Sequence, residues 1–214
     1  TSDDGFSWER ASTVRGVVVN IEDPARTALH HQEVIYVPWE ADGLHYWMYV
    51  AADVAGQPHG YYRLRSADPA TFDWSQRQRA GLAQYGNQIG YVKGLPGGPL
   101  FIRITFGDAD GRTVPALQFS RDGLQWRWGD GGAALMAGSD DTGDNRNCYF
   151  LALCTLDGTG ELEAIGPGRY RALHAATTRA TSVAPEIFRA EIGLGEMVLR
   201  VIPQGPALDT DATH

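Results

Sequence analysis

The chain has 214 residues, 43% of them hydrophobic and 10% aromatic, and carries 18 basic against 26 acidic side chains for a net charge of -8. That length supports one sizeable core, and an acidic surface repels phosphate backbones, which argues against nucleic acid as a partner. No run of 18 apolar residues offers a membrane span, and the numbered chain shows no signal peptide.

Six Trp, nine Tyr, 26 Gly and 11 Pro suit many short strands joined by turns, so the expected class is all-β. Residues 1 to about 13 hold a turn pattern, Ser2, Asp4, Gly5 and Trp8, with no complete strand ahead of it. Either these residues complete the last sheet of a ring, or an upstream part was removed or lies on another chain. Val14–Ile21 is a β-branched strand that ends at Glu22-Asp23-Pro24.

The best-defined unit follows. Glu33–Trp39 is expected as an inner strand, Glu40-Ala-Asp-Gly43 as its turn, Leu44–Ala52 as the second strand and Gly60–Ser66 as the third, with Phe72-Asp-Trp74 leading into an outer one. A second unit repeats the order with Gln88–Val92, Pro99–Phe106, the turn Asp108-Ala-Asp-Gly111 and Val114–Phe119. A third comprises Asn147–Thr155, Arg169–Ala175, Glu186–Ala190 and Glu196–Ile202. The small, acidic stretch from Gly205 to His214 is expected as a loose tail, which leaves 1–204 as a single domain.

The units share a turn. Ser120-Arg-Asp-Gly-Leu-Gln-Trp126 repeats the pattern of the first eight residues, and Arg65–Trp74 holds a looser copy with Asp68-Pro69 in place of Asp-Gly. Trp8, Trp74 and Trp126 stand 66 and 52 residues apart, a period that suits four-stranded propeller blades. Asp and Gly close the hairpin, the Ser and Asp side chains bond turn amides, and Trp covers the result. The motif is therefore a structural staple, with no chemistry of its own. Ser120, Asp122, Gly123 and Trp126 resemble the Asp-box hairpin of sialidases and related propellers, with one spacer residue missing. Three four-stranded antiparallel blades and a fragment are too few to close a ring. An incomplete propeller that is part of a larger protein or is completed by a second copy or another chain is expected; a single sandwich or barrel is the rival with the same strand count.

In a propeller the residues leading into the innermost strands line one mouth of the central channel. Here those lead-ins are polar: His30-His31-Gln32-Glu33, then Asn87-Gln88, then Asp144-Asn145-Arg146-Asn147. Together with Trp39 they would form a pocket for a polyhydroxylated ligand, the other possibility being ordinary solvated loop ends. Glu33 is the acid of choice, because the entry to an apolar strand can bury it enough to raise its pKa for proton transfer. Glycoside hydrolysis generally uses a second carboxylate, for which Asp144 and Asp141 are the candidates, with Glu186 behind them.

No cofactor is implied. The acidic Ser139–Asn145 loop and Asp108–Gly111 leave calcium open, though neither has the full spacing of a calcium loop, and His30 and His31 diverge too far for zinc. Cys148 and Cys154 lie six residues apart on one expected strand, roughly 20 Å, beyond disulfide reach. The compartment stays open, secretion included.

Residues 31–74 and 182–200 resemble the five-bladed propeller glycoside hydrolases of the arabinofuranosidase/xylosidase and invertase-like kinds, through Glu33-Val-Ile-Tyr-Val-Pro38, Asp42-Gly43, Tyr46-Trp-Met-Tyr49 and Ala184-Pro-Glu-Ile-Phe188. The resemblance implies a glycosidase with paired carboxylates and a carbohydrate ligand. In that family an Asp heads the first inner strand and a Glu precedes the Ala-Pro-like step; here those places hold His31 to Glu33 and Ser182-Val183. A non-catalytic sugar-binding propeller, stacking its ligand on Trp39, Tyr46, Trp47 or Trp128, is the alternative. A subunit that completes a ring with a partner chain is the other.

Overall fold

The computed structural model describes residues 19–20, 27–82, 88–109, 112–128, 148–156, 159–176, 186–194 and 198–206. Two compact units are present, Thr1–Ala83 and Gln84–His214. Strands make up nearly all the regular structure of the described residues, with a single 3-10 turn at Trp74–Gln76. In chain order the strands of the first unit are β1 (Val19–Asn20), β2 (Thr27–Tyr36), β3 (Tyr46–Val54), β4 (Gly60–Ser66), β5 (Phe72–Asp73) and β6 (Gln78–Leu82). Those of the second are β7 (Gln88–Val92), β8 (Leu100–Ala109), β9 (Arg112–Ser120), β10 (Arg127–Trp128), β11 (Cys148–Leu153), β12 (Ala164–Gly166), β13 (Arg169–Ala176), β14 (Glu186–Gly193) and β15 (Val198–Pro206).

In the first unit β2, β3, β4 and β6 form an antiparallel four-stranded sheet in that order. Short connections between sequential neighbours impose this order, and Gly43, at φ 79°, supplies the left-handed residue that the β2–β3 connection requires. Every residue of β3 from Trp47 to Ala52 is buried, so both sheet faces are covered and simple alternation of polar and apolar residues disappears. One face packs Met48, Val50 and Ala52 against Tyr62, Leu64, Phe72 and Trp74. The Trp74 ring meets Tyr62 edge-on with centroids 5.4 Å apart. The strand β5 pairs in parallel with β1, placing Val19 opposite Phe72.

One expectation changes in this unit. The inner strand begins at Thr27, so His30, His31 and Gln32 lie inside it and are not a loop leading into it. Thr27–Gln32 has little β-branched or aromatic character, yet pairing with the C-terminal half of β3 recruits it, because exposed ladder groups find their partners there. The outer strand is Gln78–Leu82, reached through the 3-10 turn that Asp73 caps by accepting the Ser75 amide at 2.9 Å.

The second unit holds two sheets. The strands β7, β8, β9 and β10 form one antiparallel sheet of four, and β11, β13, β14 and β15 form another, with β12 added along β13. Their strands follow the second and third expected units closely, and the last runs to Pro206. Val92, Ile102, Ile104, Leu117 and Phe119 of one sheet share a core with Leu162, Tyr170, Ala172 and Ile192 beside or on the other. Backbone bonds join them, since the Tyr91 amide donates to the Gly160 carbonyl at 2.8 Å and the Leu162 amide to the Tyr91 carbonyl at 2.9 Å. At Gly90 a Cβ would stand 2.5 Å from Leu162 Cδ2, so this contact requires a glycine.

The turn after β9 carries the hydrogen bonds that its sequence suggests. The Ser120 hydroxyl donates to Asp122 Oδ1 at 2.9 Å and accepts the Gly123 amide at 2.9 Å. Asp122 Oδ1 also takes the amides of Leu124 and Gln125, both at 2.8 Å. At the looser copy Ser66 accepts the Asp68 amide and Asp68 accepts that of Ala70. Trp8 lies outside the described residues.

Candidate functional site

The second face of the β2–β3–β4–β6 sheet combines acid, base and aromatic groups. Cross-strand pairing sets Glu33 opposite Tyr49, Tyr49 opposite Arg63 and Arg63 opposite Gln78, one residue from each strand in a continuous row. The adjacent row is Ile35, Trp47 and Arg65. Arg63 holds the rows together: its guanidinium donates to Gln78 Oε1 at 2.6 Å, bonds the Tyr49 hydroxyl and lies 4.1 Å from the centre of the Trp47 ring. Arg65 closes one end, pairing with Glu40 at 2.5 Å and Asp42 at 2.7 Å. Tyr49 and Tyr61 stack with centroids 5.8 Å apart and are fully buried.

Glu33 reaches this face through an irregularity. The ladder slips by one residue between His30, opposite Ala51, and Glu33, opposite Tyr49. Counted straight on from His30, Glu33 would fall opposite Met48 on the apolar face; the extra residue moves it to the side of Tyr49. There it is half-buried, and burial pushes its carboxyl up to about 7. A carboxyl of that kind holds its proton to neutral pH and can give it to a leaving oxygen.

His30 lies on the same face, where its Nε2 contacts Asp53 Oδ2 at 3.2 Å and His59 Nδ1 bonds the other carboxylate oxygen. All three are exposed; the His59 bond, with the His30 bond beside it, holds the Asp53 carboxyl below its usual range. Trp39 and Tyr46 are half-buried. Trp47 is 3% exposed beneath Arg63, which removes it as a stacking surface for a sugar. Trp128 is exposed on β10.

The sequence-derived candidates therefore divide. Glu33 and His30 share a face with an organised Tyr49–Arg63–Gln78 row that local sequence gave no means of finding, because its members are neighbours only through strand pairing. In the second unit Gln88 accepts the Leu153 amide at 2.8 Å with its side-chain oxygen, tying the start of β7 to the end of β11. His31 and Glu186 sit within β2 and β14. Asn87, Asp141, Asp144, Asn145, Arg146 and Asn147 lie outside the described residues, as do the Ser139–Asn145 loop and Asp110-Gly111. Among the described residues no three His, Cys, Asp or Glu side chains are arranged to hold a metal, and no helix is long and apolar enough to cross a membrane. Cys154 is a free thiol whose pKa burial raises.

No family model and no curated protein matches the chain in sequence. Solved structures do match in fold. A complex of BT0996 with RGII aligns at a TM-score of 0.53 and 9% identity, over 87% of this chain and 60% of that protein. A glycoside hydrolase aligns at 0.51 and 8%, over 87% and 60%. Fructan 1-exohydrolase IIa from Cichorium intybus aligns at 0.50 and 17%, over 91% and 36%. This chain spans three fifths or less of the length of these structures. Its antiparallel four-stranded sheets have the fold of propeller-type glycoside hydrolases.

Proposed function

We propose that the chain is carbohydrate-active and works on a glycosidic bond, with Glu33 as the proton donor to the departing oxygen and Asp144 as the second carboxylate. One observation carries the proposal: a half-buried acid with a pKa near 7 stands on the Tyr49–Arg63 face of a propeller-type sheet. Burial keeps the proton on Glu33 at neutral pH. As the glycosidic bond lengthens, positive charge grows on the sugar ring and negative charge on the leaving oxygen; the Glu33 proton neutralises the latter, and glycosidases in general use a second carboxylate for the former. His30, His31, Trp39, Asn87, Gln88, Asn145, Arg146 and Asn147 are the proposed substrate contacts.

The neighbouring folds include a fructan exohydrolase and a protein complexed with RGII, which makes plant polysaccharides the first substrates to test. The test is hydrolysis of a panel of such glycans by the wild type and by Glu33→Gln. General acid catalysis is worth about 10² to 10⁴ in rate, so kcat should fall by that factor, and the wild-type rate should decline above pH about 7. Full activity in Glu33→Gln would remove the proposal.

A second reading is a sugar-binding propeller without turnover. It draws on the positions where the resembling hydrolases place their Asp and Glu, which here hold His31 to Glu33 and Ser182-Val183. Glycan binding without product release, unchanged in Glu33→Gln, would select it.

A further inference from the structure

The edge of the second sheet carries a cavity of about 480 Å³ in the Gln84–His214 unit, beside the turn centred on Asp122. Its size lies within the range of small-ligand sites. Leu100 and Phe119 give it an apolar floor, Trp128 an aromatic wall, and Asp122, Gln125 and Arg127 a polar rim.

The fold builds each part for a local reason. Arg127 and Trp128 form the short strand β10, paired with Phe119 and Gln118, which stands Trp128 at the sheet margin with 39% of its surface in water. Because Asp122 draws in the amides of Leu124 and Gln125, the chain doubles back and leaves a hollow between the turn and β10. Arg121 belongs to the scaffold, for its guanidinium is spent on the carbonyls of Pro96, Gly98 and Pro99.

The chemistry of the lining selects a ligand class. A flat, partly hydrated indole favours a flat apolar partner, while the rim offers a carboxylate acceptor, a guanidinium donor and an amide that does both. Burial would raise the Asp122 carboxyl, but the Gln125 and Leu124 amides and the Ser120 hydroxyl outweigh it and hold it below its usual range, hence ionised. A purely apolar ligand would strip water from Asp122 and Arg127 without replacing it, whereas hydroxyl groups can donate to the carboxylate and accept from the guanidinium. An uncharged sugar ring has one face of C–H groups and a rim of hydroxyls, which answers both halves of the lining.

We propose that this cavity is a second binding site, taking a neutral sugar residue of an oligo- or polysaccharide with its C–H face on Trp128 and its hydroxyls on Asp122, Gln125 and Arg127. It is independent of Glu33 and of any turnover, and would hold a long substrate or anchor the protein to it.

The test uses affinity electrophoresis of the full chain through gels containing arabinoxylan, arabinan, galactan, inulin or mixed-linkage β-glucan, with polygalacturonate as the charged comparison. At least one neutral polymer should retard the wild type. Trp128→Ala and Gln125→Ala should each weaken that binding about tenfold or more, Trp128→Phe should keep most of it, and Glu33→Gln should bind like the wild type. Gln125 is exposed, so its variant decides the matter should Trp128→Ala fail to fold. Retardation by no neutral polymer, a preference for polygalacturonate, or binding unchanged in Gln125→Ala overturns the proposal. Loss of hydrolysis in Glu33→Gln with binding intact leaves it standing, so the two proposals fail separately.

Discussion

Glu33 faces Tyr49 across the β2–β3 ladder, and a slip of one residue after His30 is what brings them together. Two β2 residues, His31 and Gln32, occupy the space that a regular ladder gives to one. The acid consequently shares a row with Tyr49 and Arg63, where burial raises its pKa to about 7.

That raised pKa makes Glu33 a cost to the fold at neutral pH. Its folded value lies above its ordinary value of 4.5, so both states hold the proton in acid, and from pH 4.5 to 7 the unfolded chain ionises while the native chain keeps its proton, which lowers stability as pH rises. The penalty is complete above pH 7 and amounts to at most about 3 kcal/mol, less whatever solvent screening removes. Glu33→Gln should therefore melt with the wild type at pH 4 and above it by several degrees at pH 8. Calorimetry at both pH values checks this, and equal melting at pH 8 would contradict it.

Arg63 should be the costliest polar side chain of the same sheet to remove. It is 5% exposed, bonds Gln78 and the buried Tyr49 and stacks on Trp47, so truncation takes a bond from the Tyr49 hydroxyl and leaves a void against the Trp47 ring. Arg63→Ala is expected to lose about 3 kcal/mol in urea unfolding, and Arg63→Lys most of that, because an ammonium cannot stack and fork at once.

Gly90 tests the junction within the second unit. An alanine Cβ would stand 2.5 Å from Leu162 Cδ2 and 3.0 Å from the Gly160 carbonyl oxygen, and the latter belongs to the backbone bonded to Tyr91. Gly90→Ala should cost about 1 to 3 kcal/mol by overpacking, seen as a lower urea midpoint with an unchanged slope.

Asp122 contributes stability with the opposite pH sign to Glu33. Its folded pKa is depressed, so the contribution is present above its ordinary value of 3.8 and is lost as pH falls through the folded value. Asp122→Asn should reduce stability by about 1 to 2 kcal/mol at pH 7 and by progressively less in acid, measured as unfolding midpoints at pH 7 and pH 3.

The sequence alone determined most of the strands and their grouping, since β-branched and aromatic runs broken by Asp-Gly and Gly-Pro turns leave few other ways to fold; the first half of β2 and the short strands β10 and β12 exist only through pairing with their neighbours. It also determined the Ser120–Asp122 turn, whose bonds span at most three residues. Tertiary structure decided which side of the sheet each group serves. The slip that aims Glu33, the Arg63 stack that seals Trp47 away and the amide that Gln88 accepts from Leu153 all join residues distant in the chain. Trp47 to Ala52 are buried on both faces, so no alternation of polar and apolar residues survives there to reveal a face, and only pairing with β2 and β4 assigns it.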